Sequence, residues 1–241
     1  MKILEDIIST LDVETEVRDI RQGVFYTAVL TKNCGLAATL PQDALKQGHS
    51  LVDRPGGLLD GSPLELARMA FSGSLLEAVT GMAAINSLVE IEEKSCRGLN
   101  AGDLIAQKGD GKATVIIGHF PFVPHLKGVI NDLKVIEKTP VGDDYGEGVA
   151  ERFVPEADVV AITGTAFTNH TIEKLLVLCN PRAYVIVLGG TAPMSEVLFD
   201  YGVDAISGTM VTEPELALRC VSQGANYRQI KGIRKLTMTR D

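Results

Sequence analysis

His119 has more chemistry within reach than any other residue of the chain. It directly follows Ala113–Gly118 (A-T-V-I-I-G), an apolar, β-branched run of the kind that forms a buried parallel strand ending in a loop. A histidine at such a strand end can act as general base, hydrogen-bond donor or metal ligand. A histidine packed against Phe120 with no chemistry fits the same pattern. Two later runs end in the same way: Ala157–Gly164 (A-D-V-V-A-I-T-G) enters T-A-F-T-N-H, and Ala183–Gly190 (A-Y-V-I-V-L-G-G) enters T-A-P-M-S-E. Ligands of open α/β sheets sit outside the carboxyl ends of the strands, where the strand order reverses. The candidate ligand-binding residues are therefore Gly118, Phe120, Thr163, Gly164, Thr165, Asn169, Gly189, Gly190 and Thr191. Glycine lets backbone N–H groups approach a ligand, and helix N-termini favour anions. Taken singly, Thr168, Asn169 and Thr191 are better explained as caps, whereas the cluster as a whole reads better as a ligand-binding rim.

The loop after the first strand, G-H-F-P-F-V, departs from G-x-G-x-x-G at the second glycine, where Phe120 would block a pyrophosphate. That argues against NAD and leaves a nucleoside-type ligand or a transition metal as the cofactor classes open. Glu137, at the end of the next strand, stands where a ribose-binding acid would be, or is an exposed strand-end carboxylate. His170 begins a helix and could join His119 at a metal only if the loops fold inward, whereas His49 and His125 read as surface residues. No metal motif, P-loop, nucleophile elbow or kinase-type loop is present. Cys179 and Cys220 fall on apolar helix stripes and read as core, and Cys34 and Cys96 are undecided. Glu77 is a candidate acid or base, although S-L-L-E at Ser74–Glu77 also reads as a capping box. Asn86 interrupts an apolar helix face and must find a partner or face a cleft.

The elements that would carry these residues fall into two parts. Residues 1–95 read as a small α+β domain: a first helix over Met1–Leu11, then strands at Glu14–Gln22, Val24–Lys32 and Leu36–Leu40 in an antiparallel meander. Pro41–Asp60 reads as irregular. Helices follow, opened by the capping boxes Ser62–Glu65 and Ser74–Glu77, the second spanning Leu75–Glu90. Charge and glycine over Glu92–Lys112 place the boundary. Residues 96–241 then alternate strands and helices as a Rossmann-like parallel sheet. Ala157–Gly164 should lie beside Ala113–Gly118. A full third strand is missing from Thr139–Pro155, which contains G-D-D-Y-G-E-G. A third capping box is predicted at Thr212–Glu215, and an edge strand at Ile233–Met238.

The 241 residues carry a net charge of −8, with 45% apolar and 22% charged residues. An acidic chain of this kind lacks the basic surface that nucleic acid requires. No apolar run approaches the ~20 residues of a membrane span. An N-terminus with acids in its apolar stretch, and cysteines without C-x-x-C pairs, point to the cytoplasm. The expected partner is a small molecule. A homo-oligomer is the common state of soluble proteins, and no residue pattern marks its interface.

Taken together, G-S-L-L-E-A-V-T-G-M-A-A-I-N at Gly73–Asn86, G-H-F-P-F at Gly118–Phe122, A-D-V-V-A-I-T-G-T-A-F-T-N-H-T at Ala157–Thr171 and V-L-G-G-T-A-P at Val187–Pro193 give the chain its likeness. Over nearly its whole length it resembles a family whose proposed role is heavy-metal chelation. The resemblance implies an N-terminal domain like that of enolase joined to a Rossmann-like domain, with a site built from both. Glu77 and Asn86 would then face His119, Thr163–Thr165, Asn169 and Gly189–Thr191. It further implies the making or handling of a metal-chelating molecule of pterin, flavin or siderophore type, by condensation, hydrolysis or methyltransferase-like chemistry. Enolase chemistry is not implied, because no set of acids for a catalytic magnesium is present. Two functions fit these residues. One is an enzyme with His119 and Glu77 as acid and base. The other is a non-catalytic binder holding a metal or metal–chelate complex through His119 and His170.

Overall fold

The fold is seen in a computed structural model that describes residues 1–47 and 52–240, so the sequence reading of His49 lies outside the described residues. Helix α1 (Lys2–Ser9) buries Ile3, Leu4 and Ile7 at helical spacing. Strands β1 (Asp19–Gln22), β2 (Tyr26–Leu30) and β3 (Cys34–Ala38) form an antiparallel sheet in that order, with Leu30 paired to Cys34 across the turn. Helices α2 (Pro41–Lys46) and α3 (Pro63–Arg68) follow. Helix α2 lies within the stretch expected to be irregular; one turn and a half is too short for periodicity to register.

Helix α4 (Leu75–Leu88) organises this half. Ala78, Val79, Gly81, Met82, Ala83, Ala84 and Ile85 are all buried, so the helix is enclosed on every side rather than along one stripe. The expected capping boxes fare unequally. At Ser62–Glu65 both reciprocal bonds form. At Ser74 they do not: the Leu75 N–H donates to Gln47 Oε1 at 2.8 Å, the Ser74 N–H donates to Ser72 Oγ at 3.0 Å, and Ser74 Oγ is buried without a partner. The Thr212–Glu215 box is likewise absent, since Glu213 is the N-cap and makes no side-chain cap.

The second half is a mixed sheet of eight strands among the described residues. In chain order it contains β4 (Cys96–Arg97), α5 (Ala101–Gly109), β5 (Thr114–Ile117), α6 (Val123–Lys127), β6 (Leu133–Glu137), β7 (Tyr145–Gly146), α7 (Ala150–Phe153) and β8 (Val159–Thr163). There follow α8 (Thr165–Thr168), α9 (Ile172–Leu178), β9 (Tyr184–Leu188), α10 (Val197–Asp200), β10 (Ala205–Val211), α11 (Pro214–Ser222) and β11 (Ile233–Thr239). The spatial order is β4-β11-β10-β9-β8-β5-β6-β7. Strands β10, β9, β8, β5, β6 and β7 run parallel, and β11 is antiparallel to β10. One margin differs from expectation. Strand β11 is not an edge, because β4 pairs with it through Cys96 and Arg97. On the other side, no full strand follows β6, as expected, and only the two residues of β7 pair with it.

The two halves share one core. A continuous cluster of buried apolar side chains runs from Ile3 through Met82 and Phe167 to Met238. Fully burying such a side chain contributes roughly 1.5–3 kcal/mol. Polar clasps cross the same seam. The Ile3 N–H donates to Glu173 Oε1 at 2.8 Å, the Tyr201 hydroxyl donates to Asp6 Oδ2, and Lys138 pairs with Asp43 at 3.4 Å.

Candidate functional site

Strand β5 is the first strand of the parallel sheet, with β6 on one side and β8 on the other. The strand order therefore reverses between β5 and β8, and the loops after these strands diverge to leave a crevice. Gly118 directly follows β5 at φ 106°, and a Cβ on it would sit 2.9 Å from Thr163 Cβ at the end of β8. Only glycine permits both that conformation and that approach.

The crevice has two chambers. The first, of about 630 Å³, has an apolar floor that includes Ile117, Ile136, Ala166 and Leu175, and is lined by Gly118, Glu137 and Asn169. The second, of about 470 Å³, is lined by Gly164, Gly189, Gly190, Thr191 and Tyr26. His119, Phe120, Thr163 and Thr165 line both. The small domain contributes Leu40 and Asp43 to the first chamber and Tyr26 and Ala38 to the second.

His119 stands between the chambers, with its side chain about one-third exposed. Its Nδ1 lies 2.6 Å from Asp144 Oδ2, and the Asp144 side chain has no exposed surface. Asp144 sits one residue before β7, so the pairing of β7 with β6 delivers the carboxylate to the loop after β5. Its other oxygen meets Lys127 Nζ of α6 at 3.2 Å, and the Val141 N–H donates to Oδ2 at 3.4 Å. Burial pushes the Asp144 carboxyl up, but the bonds from His119, Lys127 and Val141 together outweigh it and hold it below the usual carboxylate range. Lys127, bonded first to Asp143 and then to Asp144, is held above the usual lysine range. The Asp144 carboxylate can only accept, so Nδ1 carries the shared hydrogen, and in the neutral imidazole that leaves the lone pair on Nε2. Glu137 braces the same loop: the His119 N–H donates to its Oε2 and the Lys138 N–H to its Oε1, both at 2.7 Å.

A depressed folded-state carboxyl stabilises the fold above the unfolded value of about 3.9, and that contribution fades as pH falls through the folded value. Asp144→Asn is therefore expected to flatten this part of the acid limb of stability. Urea midpoints measured from pH 5 down to pH 2.5 check it; parallel limbs in both proteins would show that Asp144 contributes nothing there.

Thr163 and Thr165 share a bond between their hydroxyls at 3.1 Å. Asn169 Oδ1 accepts from both the N–H and the hydroxyl of Thr171, ahead of α9, while the residue also lines the first chamber. Thr191 is 2% exposed; its hydroxyl accepts the Ala38 N–H at 2.9 Å and its carbonyl accepts from Asn86 Nδ2 at 3.2 Å.

Three expected site residues stand elsewhere. Glu77 accepts from the Asp53 N–H at 2.7 Å and from the Ser72 hydroxyl, and it lines a separate pocket of about 100 Å³ with Arg54 and Met69. Asn86 lines neither chamber: its Nδ2 donates to the Leu36 and Thr191 carbonyls, fastening β3 to the loop after β9, and its Oδ1 is buried without a partner among the described residues. His170 takes a left-handed φ of 60° between α8 and α9 and bonds through Nε2 to the Ala70 carbonyl at 2.8 Å, so it lines neither chamber and does not join His119. His125 is exposed on α6.

The family role raises the question of a resident heavy metal, and the donor set does not fit one. Among the described residues, no three His, Cys, Asp or Glu side chains converge as a metal site. The thiols are the soft donors a heavy metal would select, but none of Cys34, Cys96, Cys179 and Cys220 belongs to such a group. No helix of the described residues is long and apolar enough to cross a membrane.

The residues that sequence reasoning missed are Asp144, Lys127, Tyr26, Tyr227 and Arg228. Asp144 had a signal, an acid pair in a glycine-rich loop following the strand next to β5. The aromatic pair had none, because Tyr26 and Tyr227 meet only once the two halves pack.

Known proteins place the chain in a group. Residues 100–240 match the family DUF364 and residues 4–89 match DUF4213, both described as "Putative heavy-metal chelation". An uncharacterized protein of Methanocaldococcus jannaschii is 26% identical over 242 residues, covering 95% of this chain and 92% of its own length. Two crystal structures share the fold, both of DUF364 proteins with unknown function. The Desulfitobacterium hafniense DCB-2 protein superposes with a TM-score of 0.86 at 23% identity, over 99% of this chain and 98% of that one. The Pyrococcus horikoshii protein does so at 0.84 and 22%, over the same shares. With its larger half matched over residues 100–240 and the whole architecture shared, the chain belongs to the DUF364 family, whose description is "Putative heavy-metal chelation".

Proposed function

We propose that the protein is an enzyme acting on a small heterocyclic, metal-chelating molecule of pterin, flavin, siderophore or nucleoside type, with His119 as its general acid and base. The observation that carries this reading is the 2.6 Å contact between His119 Nδ1 and the enclosed Asp144 carboxylate. A histidine oriented through one nitrogen by a buried carboxylate, with its other nitrogen at a cleft, is the arrangement proton transfer requires. Nε2 takes a proton from a ring N–H or O–H of the substrate. The imidazolium that forms is stabilised by Asp144, and the proton returns to the product. Lys127 keeps Asp144 ionised, Glu137 fixes the backbone of His119, and Thr163 and Thr165 offer hydroxyls at the waist between the chambers. The heavy metal of the family description enters this scheme as cargo of the small molecule, since the chain's own donors do not suit it.

Native mass spectrometry of freshly purified protein, with elemental analysis of the same sample, tests the reading. The expected result is a retained organic mass of nucleoside or pterin size without stoichiometric metal. Stoichiometric transition metal that is lost in His119→Ala would overturn it in favour of a metal binder.

A further inference from the structure

The two chambers are charged in opposite senses. The first carries four carboxylates, Asp43, Glu137, Glu147 and Glu151, against Lys138 and Lys174. Both lysines are already paired, Lys138 with Asp43 at 3.4 Å and Lys174 with Glu151 at 2.7 Å. Among the described residues, the second chamber has no carboxylate in its lining, and Arg228 is the one lysine or arginine that lines it, in a chain of net charge −8. The Arg228 backbone N–H bonds to Asn226 Oδ1, but the guanidinium has no partner among the described residues.

Other donors collect in the same place. The backbone N–H groups of Gly190 and Thr191 have no hydrogen-bond partner among the described residues, whereas those of Gly189 and Ala192 on either side are satisfied. Tyr26 stacks on Tyr227 at 5.6 Å between ring centroids, with 20° between planes. The Tyr227 hydroxyl is spent on Thr209 Oγ1 at 2.6 Å, while that of Tyr26 bonds to nothing among the described residues. Burial raises the Tyr26 phenol, which keeps its proton and remains a donor. A Cβ on Gly190 would sit 2.9 Å from Tyr227 Cε2 and 3.1 Å from Tyr26 Oη, so a side chain there would be forced against both rings. Phe120, which lines the chamber as well, stacks on Phe122 at 5.2 Å between ring centroids, so Tyr26 and Phe120 each have one face already covered. Aromatic rings, unspent donors and an unpaired cation around one concavity suit a flat, anionic ligand.

We infer, building on the reading above, that the second chamber is the anion end of the substrate site. It takes a carboxylate or phosphate borne on a flat unsaturated ring, with Arg228, the Tyr26 hydroxyl and the Gly190–Thr191 amides on the anion. The ring lies along Tyr26 and Phe120, and its amino or N–H edge points past His119 toward the carboxylates of the first chamber. The substrate class is thus an acid-bearing heterocycle with a donor edge, and the direction in which it lies is set by charge.

Ligand-observed NMR titrations of the full chain with phenyl phosphate, benzoate, benzamide and inorganic phosphate test this. Phenyl phosphate or benzoate is expected to bind at least about 10-fold more tightly than neutral benzamide, and the stronger of the two names the anion. Arg228 is exposed, so Arg228→Ala should fold normally and erase that preference, and Tyr26→Phe should weaken both anions. Equal binding of benzamide and the anions, or an unchanged preference in Arg228→Ala, overturns the inference. Inorganic phosphate binding as tightly as phenyl phosphate removes the ring from it. Failure here is separable from failure of the enzyme reading. Anion preference at Arg228, together with a His119→Asn variant that still converts the recovered ligand, would sink the reading of His119 alone.

Discussion

Replacing His119 with asparagine is expected to lower turnover of the cleft's substrate by about 10²–10⁴-fold while leaving its KM within a few-fold. Asparagine keeps a donor for Asp144 and much of the side-chain volume, so the enclosed carboxylate is not abandoned. What disappears is the lone pair on Nε2; among the described residues that line both chambers, no other side chain is a ready proton acceptor. Asp144→Asn should fall in the same direction, because an amide can present its oxygen or its N–H to Nδ1 and no longer fixes the tautomer or supports the imidazolium. The measurement is kcat and KM on the small molecule that copurifies, for wild type and both variants. Turnover of His119→Asn within about threefold of wild type would remove the histidine from the chemistry.

That dyad also marks where sequence reading stops. The strands β5, β8 and β9 are legible because each is a continuous apolar run closed by glycine, and their parallel order follows from the helices between them. The adjacency of β5 and β8, and with it the location of the crevice, could be written down from connectivity rules alone. The small antiparallel sheet was legible for the same reason, in alternation around Gly23 and Asn33–Gly35. Asp144 could be noticed in its glycine-rich loop but not placed, because its position depends on β7, whose two residues have no period to read. Helix α5 was hidden by Gly102 and Gly109, which look like linker but press closely on Phe122 and on Thr114 and Ile130. Glu77 shows the opposite error. Its spacing from Ser74 obeys the capping rule, yet Gln47 and Ser72 reach the helix start first and the carboxylate turns to Asp53 instead. Local rules name the donors at a helix end; tertiary packing decides who answers them.

Gly81→Ala is expected to destabilise the protein by about 3 kcal/mol or more, at the upper end of what overpacking costs. Helix propensity alone says the reverse, since alanine gains about 1 kcal/mol over glycine in a helix interior. Sterics win here because a Cβ at Gly81 would lie 2.0 Å from Ala70 N and 2.6 Å from Ala70 Cα, and neither is a side chain that can swing away. The opposite flank of α4 is equally tight, where a Cβ on Gly35 of β3 would lie 2.1 Å from the Ala83 carbonyl oxygen. The helix is therefore clamped between two backbones and cannot yield toward either. Urea unfolding of Gly81→Ala decides it, with Gly98→Ala as the control, because nothing lies within 4 Å of a Cβ there. A Gly81→Ala midpoint at or above wild type would mean that the clamp is slack.

The clasps at α1 carry a consequence in time. Ile3 is bonded to a residue 170 positions later, and Asp6 to one 195 positions later. During synthesis at ~5–20 residues per second, the first helix would wait about 10–40 s for the side chains that fasten it. Its apolar face, Ile3, Leu4 and Ile7, is without those partners throughout that interval. Completion of the amino-terminal half is thereby tied to the arrival of the carboxyl-terminal half, and a ribosome stalled before Tyr201 would hold a chain whose earliest element is still unfastened.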